Sequence, residues 1–212
     1  MDNPLIIIGA GGHAKVLIDT LLLLPVKILG ATDAASGKHG GNVLGVPILG
    51  NDQEILRHSP DTVSLVNGIG SVRAPILRGD IYARFKGMGY HFAGVVHPSA
   101  FISRTAELSA GVQVMAGAIV QTGCLVGSNT IINTGALVDH DCQIGEHVHI
   151  APGTTLSGEV TIGEGSHIGT GATIIQGIRI GAGCLVAAGA VVIEDVPDGR
   201  TVAGVPARTL NK

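Results

Sequence analysis

Three clusters in the second half of the chain have residue types suited to proton transfer: Asp139-His140-Asp141-Cys142, Glu146-His147-Val148-His149, and His167. They sit in a stretch otherwise poor in charge. His140 stands between two carboxylates, Asp139 and Asp141. A carboxylate beside an imidazole raises its basicity and fixes its tautomer, as a general base requires. His147 and His167 read as ordinary solvated turn residues. His149 lies nine residues beyond His140, and His167 eighteen beyond His149. Imidazoles gathered at one face also have the donor type for zinc, which makes a metal site the rival reading; no metal is expected.

These residues are positioned by a repeat of six. From Ile102 to Val192 an apolar residue returns every sixth position, as in Val120, Val126, Ile132, Val138 and Ile144. Four places after each comes a small or β-branched residue, as in Ala118, Cys124, Thr130, Ala136 and Cys142. Three places after each, glycine is the usual occupant, with Asn129, Asp141, His147 and Glu159 among the departures. A period of six is neither that of a helix nor that of an ordinary strand. It marks a hexapeptide β-helix, three hexads to a coil of about 18 residues. The apolar residue points inward and the glycine relieves the turn. A helical reading fails, because each interior glycine would cost about 0.5–1 kcal/mol relative to alanine. His140, two places after Val138, leans outward at a turn. All three cysteines take the inward small position, which reads as packing rather than a disulfide, metal ligand or nucleophile.

Residues 1–96 have another rhythm. Leu5–Ile8 is an apolar strand, Gly9-Ala10-Gly11-Gly12-His13 a glycine turn, and 14–24 a helix stopped by Pro25. A second strand over 27–31 ends near Asp33, and a polar, Gly-rich loop follows over 34–42. A short helix over 52–58, a strand over 63–66, a helix over 73–88 and a last strand over 91–96 complete the pattern. Alternating strands and helices make a Rossmann-like α/β domain with a parallel sheet. Residues 97–212 form the second domain, after the break at His97-Pro98-Ser99. The glycine turn has the form G-x-G-x-x-A, with Asp33 about twenty residues on. Glycines there let phosphates reach backbone N–H groups at a helix N-terminus. A nucleotide or nucleotide sugar fits this better than NAD, because the domain is half-sized and no hydride-transfer site follows. Asn67-Gly68-Ile69-Gly70-Ser71 is a second glycine turn at the same sheet edge, expected to face the same crevice.

Composition narrows the setting. A net charge of −3 supplies no basic field for nucleic acid. The apolar run over 16–29 is interrupted by Asp19, Pro25 and Lys27 and is too short to span a bilayer, so no membrane insertion is expected. The N-terminus reads as lacking a signal peptide. Reduced, inward-facing cysteines fit the cytoplasm.

Several motifs together resemble bacterial nucleotide-sugar acetyltransferases of the left-handed β-helix superfamily, in the branch that N-acetylates 4-amino sugars such as bacillosamine and perosamine. They are Gly9-Ala10-Gly11-Gly12-His13, Val96-His97-Pro98-Ser99-Ala100, Asn133-Thr134-Gly135, Val138-Asp139-His140-Asp141-Cys142 and Ala203-Gly204-Val205-Pro206-Ala207. The resemblance implies a left-handed coil and a homotrimer with acetyl-CoA lying between neighbouring β-helices. It implies His140 as general base, with Asp141 sharpening it where bacillosamine enzymes use Glu. It places His149, Thr170 and Ala188 beside acetyl-CoA, and Gly11, Gly12, His13, Asp33, Gly70 and Asn133 on the substrate side. A backbone N–H near Gly158, one coil above His140, is the expected oxyanion donor. Arg208 is placed either near a CoA phosphate or in solvent. The same branch holds proteins labelled sialic-acid O-acetyltransferases. The function expected is therefore acetyl-CoA-dependent N-acetylation of a nucleotide-linked 4-amino-4,6-dideoxy sugar, the alternatives being O-acetylation or nucleotide-sugar binding without catalysis.

Overall fold

A computed structural model describes residues 3–70 and 75–210. The chain divides into two compact units, 1–98 and 99–212.

The first unit is built on a six-stranded sheet. Its strands are β1 (Leu5–Ile8), β2 (Ile28–Thr32), β3 (Asn42–Val43), β4 (Val46–Gly50), β5 (Ser64–Asn67) and β6 (His91–Phe92), in spatial order β3-β4-β2-β1-β5-β6. All neighbours run parallel except the β3–β4 pair. The helices are α1 (Gly12–Leu21) and α2 (Pro75–Gly87). Every residue of β1 is buried, as a central parallel strand covered on both faces should be. Ile6, Ile8, Leu65, Phe85 and Phe92 form one core cluster, with Tyr82 and Phe92 at 4.5 Å between ring centroids. Helix α1 starts two residues earlier than the sequence pattern indicates, because Gly12 and His13 already take helical geometry. It ends at Leu21, before Pro25 is reached. The helix expected from Arg73 begins, among described residues, at Pro75; Ser71 and 72–74 lie outside them. The last strand is two pieces, His91–Phe92 and Val95–Val96.

The second unit is a left-handed parallel β-helix. Each hexad gives a two-residue strand whose second residue is the inward aliphatic. The first face stacks Phe101–Ile102, Ile119–Val120, Leu137–Val138, Thr155–Leu156, Thr173–Ile174 and Val191–Val192. The second stacks Glu107–Leu108, Leu125–Val126, Gln143–Ile144, Thr161–Ile162 and Arg179–Ile180. The third carries Gln113–Val114, Ile131–Ile132, His149–Ile150, His167–Ile168 and Leu185–Val186, then the hairpin Thr201–Gly204 and Ala207–Thr209. Paired residues are 18 apart as far as Val192, as in Leu137↔Thr155 and His149↔His167, and the step shortens to 16 at Leu185↔Thr201. The repeat stops at the top of the second face, where Val196 instead of residue 198 bridges to Ile180. Asp195 and Asp198 then accept the N–H groups of Arg179 and Ala182, at 2.8 and 2.9 Å.

Glycine has two separate duties in these coils. Gly117 turns with φ +66 and has open space where a side chain would stand. Gly163 faces the next coil, and a Cβ there would strike the backbone of Ala182, with the Gly181 carbonyl carbon 2.6 Å away. Gly117→Ala is therefore expected to cost about 1 kcal/mol, the left-handed penalty alone. Gly163→Ala, which must push neighbouring coils apart, is expected to cost about 3 kcal/mol or more. Urea denaturation midpoints at constant m-value check the difference.

Candidate active site

The corner between the first and second faces carries the proton-transfer candidates. The chain leaves Leu137–Val138, turns through 139–142 and enters Gln143–Ile144. Asp139 Oδ1 accepts the N–H of His140 at 2.8 Å and ties the start of the turn. Asp141 occupies the usual glycine position with φ 59, a left-handed conformation that Asp tolerates better than most side chains. That backbone aims its carboxylate back at its neighbour: His140 Nδ1 and Asp141 Oδ2 are 2.9 Å apart. Both side chains are solvent-accessible, at 42% and 61%. The Asp141 contact is the main reason the His140 pKa is raised; Asp139 and Glu159 add to it, against a smaller desolvation effect. With Nδ1 held by Asp141, Nε2 is the nitrogen left to take a proton. Gly158 sits one coil above, where Glu159 N donates to the His140 carbonyl at 2.8 Å.

The other β-helix candidates lie elsewhere on the coil. His149 is on the third face and is only 5% exposed. Its Nε2 is 3.0 Å from Asn133 Nδ2, and its ring meets that of His167 edge-on at 4.8 Å. Burial lowers the His167 pKa; this is a packed histidine, not the solvated turn residue its sequence position indicates. His147 sits at the second-to-third corner with Nδ1 2.9 Å from Asn129 Nδ2, so it too is tied into the coil. Thr170 and Ala188 are exposed and stack at the third-to-first corner, where Gly189 N donates to the Thr170 carbonyl at 2.9 Å. Arg208 is exposed, with Nη1 3.7 Å from Glu194 Oε1. The residues assigned to acetyl-CoA and those assigned to proton transfer thus occupy different edges of one prism. A groove of about 440 Å³ lies on the second face, lined by Glu107, Leu125, Gln143 and Thr161 among others. None of the predicted site residues lines it. The cysteines are buried and reduced; Cys124 and Cys142 donate to the carbonyls of Asp139 and Ser157 at 3.0 and 3.2 Å.

In the first unit the two glycine turns do come together. Gly9 has φ +95, a conformation that favours glycine, and Ile69 Cδ1 lies 2.8 Å from where a Cβ would stand. Gly70 faces His13, with 3.7 Å between the His13 Cβ and the Cβ position of Gly70. Gly11 caps α1 in an extended conformation and Gly12 opens it, with no side-chain cap and no acidic residue in the first turn. This helix end is therefore favourable for an anion. Asp33 closes the crevice from the end of β2. Its carboxylate accepts the N–H of Ala10 at 3.0 Å and of Ala35 at 2.9 Å, and pairs with Lys38 Nζ at 2.8 Å. Burial works to raise its pKa, but Lys38 and the two N–H groups outweigh that and hold it below the ordinary carboxylate value.

Two residues here carry no signal in the sequence. Lys38, half-exposed in the Gly-rich loop, also reaches the Ala10 carbonyl at 3.4 Å. Arg78 is fully buried in α2, and its Nη1 donates to the carbonyls of Asn67 and Ile69 at 2.9 and 2.6 Å, shaping the second glycine turn from below. Burial brings its pKa down to about 9, which still leaves it charged at neutral pH. No cluster of three or more metal-type ligands occurs among the described residues. No described helix is long and apolar enough to cross a membrane.

Comparisons with known proteins follow the same division. Residues 4–83 match the PglD N-terminal domain. Residues 123–158 and 159–194 match the bacterial transferase hexapeptide, six repeats each. No curated protein sequence matches the chain. Among solved structures, PerB from Caulobacter crescentus, in complex with CoA and GDP-perosamine, is 38% identical with a TM-score of 0.91, covering 100% of this chain and 99% of that one. Variants of that perosamine N-acetyltransferase with a histidine replaced by asparagine or alanine, also with CoA and GDP-perosamine, match as fully. The acetyltransferase domain of PglB from Neisseria gonorrhoeae, in complex with acetyl coenzyme A, is 37% identical with a TM-score of 0.91 and covers 99% and 100% of the two chains. WeeI from Acinetobacter baumannii is 27% identical with a TM-score of 0.87, over 97% and 99%. With an N-terminal domain of the PglD type, a hexapeptide coil, and more than a third of its residues shared along the full length of the perosamine enzyme, this chain belongs to the hexapeptide-repeat family of sugar N-acetyltransferases.

Proposed function

We propose that the protein transfers the acetyl group of acetyl-CoA to the amino group of a nucleotide-linked 4-amino-4,6-dideoxy sugar, with His140 as general base. The observation that carries this is the 2.9 Å contact between His140 Nδ1 and Asp141 Oδ2 at an exposed corner. The amine nitrogen attacks the thioester carbonyl, a C–N bond forms, and the amine proton passes to His140 Nε2. The tetrahedral oxyanion is met by a backbone donor, for which Gly158 is the candidate. The C–S bond then breaks, and the thiolate of CoA takes the proton back from the imidazolium. The buried cysteines take no part.

The nucleotide occupies the crevice of Gly11, Gly12, His13, Asp33 and Gly70, its phosphates at the N-terminus of α1. Lys38 lies within reach of the same crevice through Asp33. On the coil, Asn133, His149, Thr170 and Ala188 line the acetyl-CoA and sugar path. Their distribution over separate edges from His140 supports a homotrimer, in which one copy's first-to-second corner meets another copy's third face. A convex corner cannot by itself surround a substrate. The relatives' complexes with CoA and GDP-perosamine support this substrate class. We place the enzyme in the cytoplasm, where acetyl-CoA and nucleotide sugars are made.

His140→Ala should lower kcat about 10²–10⁴-fold in a thiol-release assay with acetyl-CoA and nucleotide amino sugars; a wild-type kcat at saturation refutes the base. Because its pKa is raised, His140 should be protonated, and activity lost, as pH falls through a value above the ordinary imidazole pKa of about 6.5. Asp141→Asn removes the chief cause of that shift, so the acid limb of the kcat/KM profile should move to lower pH. Lys38→Ala should raise KM for the nucleotide sugar about 10-fold or more, the loss of a charge-assisted contact, with KM for acetyl-CoA unchanged.

A further inference from the structure

Gly158 is a glycine that its turn does not require. In sixteen hexads, the position two after the inward aliphatic carries a side chain fifteen times; Thr122, Thr134, Glu146, Pro152 and Ala188 are examples. Only Gly158 lacks one. Its φ is outside the left-handed range that would call for glycine. It is also the residue eighteen beyond His140, stacked on the same corner.

The reason for the missing side chain is visible in the space beside it. A Cβ on Gly158 would fall on Cε1 and Nε2 of the His140 ring, with Cδ2 at 3.0 Å. The imidazole occupies the volume a side chain would take. In the coil below His140, Gly123 does the same for the other member of the pair: a Cβ there would fall on Asp141 Oδ1, with Cγ at 3.3 Å. Gly123 has φ +70, so its turn already accounts for glycine. At Gly158 the His140 ring is the reason that remains. Contact is with an exposed side chain and not with backbone, in contrast to Gly163.

We propose that Gly158 is a positioning residue for acetyl transfer, its bare backbone forming the seat that holds the His140 imidazole in place with Nδ1 on Asp141. This rests on His140 being the base. An exposed imidazole held only at Nδ1 has several staggered positions open to it. Lodging the ring against Gly158 removes most of them. The role is separate from any oxyanion donation by the Gly158 N–H, which alanine would retain.

Gly158→Ala tests it. The exposed ring can swing into solvent, so the fold should be kept while the base is misplaced. The expected result is a loss of about 10²-fold in kcat, the scale of a misplacement near 1 Å, with KM for both substrates near wild type. The acid limb of kcat/KM should move toward that of an ordinary imidazole, as the Asp141 contact is lost. In the His140→Ala background the ring's space is vacant, and adding Gly158→Ala should lower activity no further. Wild-type kcat and pH profile in Gly158→Ala overturn the seat and leave His140 as base. An equal further loss in the His140→Ala background also overturns it, placing the effect in the backbone. Wild-type kcat in His140→Ala defeats the base and the seat together. If Gly158→Ala does not fold, the double variant should; failure of both assigns Gly158 a structural role and overturns the proposal.

Discussion

The second unit depends on one interaction repeated along its length: the hydrogen bond from each rung to the carbonyl of the coil above. Phe101 N donates to Ala118 O, Ile119 N to Ala136 O and Leu137 N to Thr154 O, at 2.9, 2.9 and 2.8 Å. Because the rungs donate to the neighbouring coil and not within their own, each rung residue as far as Val192 is held in register with the one eighteen places away. The register turns sequence into geometry. Choosing a residue at one position chooses what lies directly above and below it. Asp141 over Gly123, His140 under Gly158, and His149 against His167 all follow from that rule. The turns at Asp141 and Glu159 show the register overriding local preference, since both hold φ near +60 without glycine.

The fold of the β-helix is legible in the sequence because a period of six fits neither a helix nor an ordinary strand. The inward aliphatics, the buried cysteines and the outward His140 all lie where the phase of the repeat puts them. The paired glycine turns of the first unit are legible for a similar reason: each follows a strand and must meet the other at a shared sheet edge. What the sequence does not disclose depends on contacts between distant residues. Lys38 sits in a loop without periodicity, and its place beside Asp33 comes from tertiary folding. Arg78 looks like one more charge on a helix, yet it is fully buried beneath the Asn67–Gly70 turn. His167 reads as a solvated turn residue and is instead a partly buried strand residue, with the imidazole of His149 against it. Gly158 stands out in the sequence as the one glycine two places after an inward aliphatic, but the reason for it is its neighbour in the adjoining coil.

The two units divide the chemical work by their backbone types. The α/β unit offers what a coil of short rungs cannot: a helix N-terminus without a side-chain cap and a sheet edge on which two glycine turns converge. The β-helix offers what loops cannot, side chains whose spacing is set by hydrogen bonds on both sides. Recognition of a charged ligand tolerates adjustment, whereas proton transfer needs the base within hydrogen-bond reach of the reacting nitrogen. The base proposed here is accordingly on the hydrogen-bonded coil.

The eighteen-residue stack has a further consequence for how such an enzyme can change. A residue on this prism can be moved along the axis only by a whole coil, about 4.8 Å, or around it only by a third of a turn. Within the regular coils, small adjustments of reach by insertion or deletion would shift the later aliphatics off the phase that points them inward. Fine tuning of acyl-donor length is left to side-chain size at fixed addresses, while the coil itself counts distance in whole numbers.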